Sequence, residues 1–551
     1  MKRSVIFLFV CFGLLFAASP CFAQNNQFAP AVKYSSGGDQ GRWVSVADVN
    51  GDGKPDLLVV NECGSNGSTC ANSTVGVLLG NGDGTFQTAV TYASGGHGLP
   101  LSGGYGTVSL AVGDVNGDGK PDIVVANGCA TSSPGDCLTD GTVGVLLGNG
   151  DGTFQTAVLS DSGGLYASTV VVADVNRDGK PDIVVANLCG TTCDGGVVGV
   201  LLGNGDGTFQ PVVPYGSSGY QSYSVAVADV NRDGKPDLLV TNFCPASSSE
   251  CDNHLVNGTV GVLLGNGNGT FQSAVTYDTG GVFARSVAAV DVNGDGNPDI
   301  LVANYISNSV GVLLGNGDGT FRTAVTYASG GRAGSASLAV GDVNEDGRPD
   351  LVVASQCDSN CANGSVGVLL GNGDGTFQAA TPYESGGASA QSVAVADVDG
   401  NGKPDLLVAN FCASSVNCTN GAAASVGVLI NTSSVPYAAL VQQPINSDGS
   451  SIFRANRGVV PVKFTLTQNG KSTCALPPAT ISVTRTAGGT LGPIGEASYV
   501  SPPDNGSNFR IDTNDCQYIY NLAAKSLGVG TYRVDITING LVVGSAVFEL
   551  Q

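Results

Sequence analysis

The chain of 551 residues is poor in the residues that most enzyme chemistry and most nucleic-acid binding require: two histidines, one methionine, one tryptophan, and 23 lysines and arginines against 45 acids. The glutamates are few and scattered, so no nucleophile, base and orienting group can be assembled from the sequence. A net charge of -22 excludes binding to nucleic acid or an anionic membrane, since both need a basic surface to displace counterions. Past the first two dozen residues no apolar run approaches the about 20 residues of a membrane span. What the chain has instead is glycine, 82 residues of it, between short bursts of Val, Leu and Ile, which is the texture of short strands joined by turns.

Residues 1–23 read as a signal peptide: Lys2 and Arg3, an apolar run over 5–18, then Cys21-Phe22-Ala23 before Gln24. Pro20 stands where a lipoprotein signal wants a small residue, which disfavours anchoring through Cys21. A secreted chain, extracellular or held at the cell surface, is therefore expected.

Self-comparison finds a nine-residue pattern repeated seven times, at 48–56, 114–122, 174–182, 229–237, 291–299, 342–350 and 397–405. Its spacing of 51 to 66 residues suits a four-stranded blade. Around each copy the same strands recur: one ending at the pattern (Val44, Val46), one starting from it (Leu57-Leu58-Val59-Val60), then Val75-Gly76-Val77-Leu78-Leu79, a Gly-Asn-Gly-Asp-Gly turn, and a last strand after Phe86. After the seventh copy that last strand is missing, but Phe28 to Gly38 before the first copy matches Phe86 to Gly96. The predicted fold is thus all-β, a seven-bladed β-propeller over 24–431 whose first strand completes its last blade and leaves no open edge.

The repeated loop carries side-chain oxygen at positions 1, 3, 5 and 9, a backbone carbonyl at 7, and Gly at 6 to permit the sharp turn. Position 1 is Asp48, Asp114, Asp174, Asp229, Asp291, Asp342 and Asp397; position 3 is Asn50, Asn116, Asn176, Asn231, Asn293, Asn344 and Asp399. Position 5 is Asp52, Asp118, Asp178, Asp233, Asp295, Asp346 and Asn401; position 7 is Lys54, Lys120, Lys180, Lys235, Asn297, Arg348 and Lys403; position 9 is Asp56, Asp122, Asp182, Asp237, Asp299, Asp350 and Asp405. Hard cations take such an oxygen set, and calcium tolerates its irregular geometry better than magnesium. An EF-hand is excluded, because its Glu at position 12 would be Val59, already within a strand. Up to seven Ca²⁺ ions are expected, which would move the net charge from -22 to -8.

These copies resemble FG-GAP or VCBS repeats, as in the propeller of integrin alpha chains, over about residues 26 to 431. The resemblance implies calcium in the loop joining the first two strands of each blade, and a role in cell adhesion or ligand binding. The chain departs from integrins in keeping the loop in every blade and in lacking an inserted metal-dependent domain, so integrin specificity does not carry over.

Fourteen cysteines follow the signal segment, and an exported chain favours disulfides over zinc. Six pairs are local: Cys63–Cys70, Cys129–Cys137, Cys189–Cys193, Cys244–Cys251, Cys357–Cys361 and Cys412–Cys418. Each lies between the second and third strands of a blade, on the face opposite the metal loops. These stapled loops vary between blades while the metal loops barely do, so this face, with His97, Tyr105, Tyr220, Tyr223, His254 and Phe283 on or near it, is the expected recognition surface.

Past a linker at 432–445, residues 446–551 alternate as strands and predict an Ig-like β-sandwich, closed by Cys474 and Cys516. Its Gly458 to Phe464 segment resembles the PxKF type of bacterial Ig-like domain. The function expected is non-catalytic binding of an extracellular glycan or protein ligand. The alternative is an extracellular carbohydrate-active lyase or hydrolase on a propeller scaffold, since fold alone does not set function.

Overall fold

The computed structural model describes residues 27–432 except 65–72, 97–107, 130–140, 246–255, 359–362, 415–417 and 419–422 and, within 437–551, ten strands with residues 527, 529 and 551. The expected signal peptide lies outside the described residues. The regular elements among the described residues are strands.

The first blade shows the plan. Strand β1 (Val32–Ala47), β2 (Asp56–Gly64), β3 (Thr74–Leu78) and β4 (Val90–Ala93) pair antiparallel in chain order, with Val44 opposite Val59, Val59 opposite Gly76 and Gly76 opposite Thr91. β2 is apolar without alternation because both its faces are covered. Leu58 and Val60 pack with Val108, Leu110 and Ile123 of the next blade, while Leu57 and Val59 pack with Leu407 and Val426 of the last. Five further four-stranded sheets repeat this order.

The remaining sheet has seven strands, because β1 belongs to two blades. Its later half pairs with β2. Its earlier half pairs with the strand Ala423–Leu429, Val32 opposite Val428 and Tyr34 opposite Val426, and Phe28 bridges Asn431 as Phe86 bridges Gly80. The expected closure is therefore the observed one. Neighbouring blades also meet through edge-on aromatic pairs, Tyr34–Phe86, Tyr92–Phe154, Tyr215–Phe271, Tyr277–Phe321 and Tyr327–Phe377, and the closure strand supplies its own in Phe28–Tyr383 at 5.2 Å between centroids. Such pairs add about 0.5–1.5 kcal/mol beyond burial.

A second seam between blades was not anticipated from the sequence. The buried amide of Asn61 donates to the Ser36 carbonyl at 3.2 Å, and Asn127–Ser94, Asn187–Ser162, Asn242–Ser217, Asn304–Thr279 and Asn410–Ser385 repeat the contact. The same carbonyl requires glycine in the third strand, since a Cβ on Gly76 would fall inside the van der Waals shell of the Ser36 oxygen. That is why Val-Gly-Val recurs where a strand would otherwise prefer three branched side chains.

The C-terminal strands form two five-stranded sheets. One holds Tyr437–Gln442, Val460–Gln468, Gln517–Leu522 and Phe509–Asp512, with Lys471–Thr473 at its side. The other holds Ser451–Phe453, Leu541–Leu550, Gly530–Ile538, Ala479–Ala487 and Gly492–Ile494. Alternate residues Val460, Val462, Phe464 and Leu466, and likewise Tyr532, Val534 and Ile536, are buried, as two facing sheets demand. Cys474 and Cys516 lie outside the described residues.

Candidate functional site

All seven nine-residue loops fall between the first and second strands of their blades, as the repeat implied. In the first loop the Asp48 carboxylate accepts the amides of Gly51, Asp52 and Gly53 at 2.8, 3.2 and 2.8 Å, while the Asn50 and Asp52 side-chain oxygens accept the amides of Asp52 and Lys54. Gly53, with φ of 78°, makes the bend that no branched residue would tolerate. The same bonds recur in the seventh loop, with Asp399 and Asn401 exchanging types at positions 3 and 5.

Position 9 behaves differently from the others. Asp56 is fully buried, and its two carboxylate oxygens accept Val49 N–H at 2.9 Å and Gly80 N–H at 2.7 Å, tying the loop to the start of the glycine-rich turn. Its six counterparts are equally buried and accept the corresponding amides. Burial, only partly offset by these amides, pushes all seven carboxyls above the ordinary aspartate value, Asp299 and Asp405 to about 6 and Asp350 to about 7. A cation in the loop would relieve that penalty, so the donor set and its electrostatics both fit a hard divalent ion. Among the described residues one group of three carboxylates brings its oxygens within 4.8 Å, Asp397, Asp399 and Asp405, because only this loop has a carboxylate at position 3.

Adjacent loops interlock. The Gly152 amide, in a glycine-rich turn, donates to the Val49 carbonyl in the preceding blade's acidic loop, and Gly84, Gly207 and Gly375 make the corresponding bonds to Val398, Val115 and Val292. The acidic loops and glycine-rich turns thus share one face. At the sixth loop the Arg533 guanidinium donates to the Asp346 carbonyl at 2.8 Å, and Arg348 lies 3.6 Å from Asp535.

On the other face Cys189–Cys193 and Cys412–Cys418 are bonded, and Cys63, Cys129 and Cys244 are disulfide-bonded. Their expected partners Cys70, Cys137 and Cys251, together with Cys361, His97, Tyr105 and His254, lie outside the described residues. Tyr223 and Phe283, expected at the surface, are instead 3% and 1% exposed. They belong to a cluster that sequence reasoning missed. Arg42, Tyr223, Arg285 and Gln391 each stand six residues before an acidic loop, and Glu62, Phe243, Tyr305 and Phe411 fourteen residues after a loop's first Asp. Strand geometry brings both sets to the stapled end of the ring. There Arg42 pairs with Glu62 and lies 4.6 Å over Phe411, Phe243 stacks on Phe283, and Arg285 lies 4.8 Å over the Tyr305 ring.

The comparisons with known proteins agree with this geometry. The FG-GAP-like repeat profile matches residues 66–125, 137–185, 188–240, 255–302, 291–353 and 354–408, and the FG-GAP repeat profile matches 40–67. More than half of the chain is covered, and the chain belongs to the FG-GAP repeat family. Within that family it is similar to integrin alpha-IIb of Homo sapiens, 27% identical over 288 residues, which is 47% of this chain and 25% of that protein. It is also similar to integrin alpha-IIb of Mus musculus, 30% identical over 157 residues, 24% of this chain and 15% of that protein. The matches thus span a quarter or less of those relatives' length.

Proposed function

We propose that this protein is an exported, calcium-loaded propeller, 24–431, that binds an extracellular protein or glycan without catalysis, carrying an Ig-like sandwich at 446–551 as a second module. The observation that carries the reading is the division of the ring into two faces. One bears seven near-identical acidic loops, four of them tied to the next blade by a backbone hydrogen bond, which suits ions that hold the scaffold together. The other bears loops that differ in length and sequence and are fixed by disulfides, which suits recognition. In each loop the ligands are the side chains at positions 1, 3, 5 and 9 and the carbonyl at position 7. The apolar segment at 1–23, the cysteine pairs and the integrin likeness together support an extracellular location.

The test is an array of glycans and matrix proteins probed with Ca²⁺ and with chelator, alongside a variant in which the stapled connection after Leu188 is replaced by the tight 305–308 turn of the fifth blade. Calcium-dependent binding that the graft reduces supports the reading. Release of reducing sugars or unsaturated products from the array, or binding indifferent to both changes, overturns it.

A further inference from the structure

The sixth acidic loop, 342–350, differs from the others in what covers it. In four other loops the carbonyl of Val49, Val115, Val292 or Val398 accepts a glycine amide from the glycine-rich turn of the next blade. The seventh blade has no such turn, because Asn431-Thr432-Ser433 follows Ile430 where the others have Gly-Asn-Gly. The Val343 carbonyl of the sixth loop is answered instead by the side-chain amides of Asn431 and Gln27. The C-terminal sheets come against this loop. A Cβ on Gly347, at position 6, would lie 3.5 Å from an Arg533 guanidinium nitrogen, whereas one on Gly53, Gly119, Gly179, Gly234, Gly296 or Gly402 would meet nothing within 4 Å. Asp346 keeps 14% of its side chain exposed, against 38% for Asp118 and 34% for Asp233 at the same position. Position 7 is arginine here alone, and Arg348 lies 3.6 Å from Asp535. Along Gly530–Ile538 the core residues are Tyr532, Val534 and Ile536, so Arg533 and Asp535 stand on the outer face of their sheet. Asp535 is nevertheless 1% exposed, bonded to Arg533 at 2.7 Å and facing Arg348 of the propeller.

From this geometry we infer that the sixth loop is the docking site of the chain's own C-terminal module, and that a calcium ion in this loop and the docked module stabilise each other. This rests on the reading of the acidic loops as calcium sites and singles out one of them as the joint between modules. Arg533 donates to the Asp346 carbonyl at 2.8 Å and Asp535 answers Arg348, so the module brings one cation and one anion to the loop and no net charge. What it changes is hydration. Docking takes water from the Asp346 carboxylate, which is costly while only the Arg348 guanidinium, 3.9 Å away, faces it, and less so once an ion holds it. An ion on Asp346 also leaves Arg348 to Asp535, between which its guanidinium is otherwise shared. A filled loop therefore docks the module more firmly than an empty one, and by reciprocity the docked module raises the calcium affinity of the sixth loop and leaves the other six as they are.

The test is a calcium titration of the full chain read by amide exchange and mass spectrometry, peptide by peptide, so that each of the seven loops gives its own midpoint. In Arg533→Met the midpoint of the sixth loop should move to at least about fivefold higher calcium while the other six hold. Arg348→Asn, which gives position 7 the residue type that the fifth loop carries as Asn297, should move it in the same direction. Removing a cation from the loop's rim would by itself tighten the ion, so a weaker site reports the lost module. The double variant should move the midpoint no further than the larger single shift, because both substitutions cut the same joint. Should Arg533→Met unfold the module by leaving Asp535 buried beside one arginine fewer, Arg348→Asn, which leaves the module's own sequence intact, decides. An unmoved or lowered sixth midpoint in Arg348→Asn, equal shifts in all seven loops, or additive shifts in the double variant overturn the coupling and leave the calcium reading standing. Native loops of which none responds to calcium overturn that reading, and the coupling with it.

Discussion

Phe28 is the residue through which ring closure is best tested. It is 2% exposed, meets Tyr383 edge-on at 5.2 Å and packs among Val343, Val366, Ala390 and Leu406. Truncating so buried a phenylalanine costs about 3–5 kcal/mol. Phe321 occupies the same place in the fifth blade, also buried and edge-on to a tyrosine at 5.3 Å, so Phe321→Ala should cost a similar amount. The two differ in tether. Phe321 bridges Gly315 in its own hairpin, whereas Phe28 bridges Asn431, and the adjacent bond from Thr432 to Gln27 spans 405 residues. Loop-closure entropy grows by about 0.6 kcal/mol per doubling, so the longer closure is harder to regain by up to about 3.6 kcal/mol. The surviving blades hold the ends near each other and reduce that figure. The assay is thermal melting with amide exchange read by mass spectrometry. Both variants should melt lower, but only Phe28→Ala should expose the amides of Ala423–Leu429 well below the global unfolding energy. Equal protection of that strand in the two variants at matched stability refutes closure by β1.

Three further outcomes are expected. Calcium at about 100 times its Kd should add about 2.7 kcal/mol for each independent site, so a melting temperature unmoved by chelator removes the structural role of the metal. Acid should act with opposite sign in the two forms. In chelator, the position-9 carboxyls bind protons more tightly folded than unfolded, so stability rises as pH falls from 7 toward 4, through the values of about 7 for Asp350 and about 6 for Asp299 and Asp405. The turn aspartates such as Asp83, held below the ordinary value by the Thr85 hydroxyl, act only below that window. The calcium-loaded protein must release its ions to take up those protons and should melt lower over the same interval; a chelated protein that also loses stability refutes the assignment. Finally, Asn61→Ala should cost about 1–3 kcal/mol in denaturant titration by stranding the Ser36 carbonyl between blades, while Asn316→Ala in an exposed turn should cost less than about 0.5 kcal/mol.

The ring and its acidic loops were legible because every copy repeats them, and closure was legible because Phe28 to Gly38 copies a strand absent after residue 431. Self-comparison fails where blades differ. The position six residues before each loop is Arg42 in one blade, Tyr223 in another, Arg285 and Gln391 in others, so no pattern marks it, yet the ring brings these residues to one end of the fold. Tyr223 and Phe283 read as surface residues because they lie near variable loops; both meet the ring of Phe243, which stands 20 residues after one and 40 before the other, in a different strand of the pattern. The Asn61–Ser36 seam is repeated and was still missed, because an asparagine ending an apolar strand resembles an ordinary turn residue until the neighbouring blade supplies its partner.

The double membership of β1 also governs how molecules meet one another before they are finished. Every other strand pairing of the ring among the described residues joins neighbours in sequence, but the seal between Val32 and Val428 forms only when the two ends of the repeat array come together. Until then the array carries two complementary unpaired edges, the segment around Tyr34 and the strand Ala423–Leu429. The edges of two molecules fit as well as the edges of one, so refolding at high concentration favours domain-swapped dimers and longer chains over closed rings.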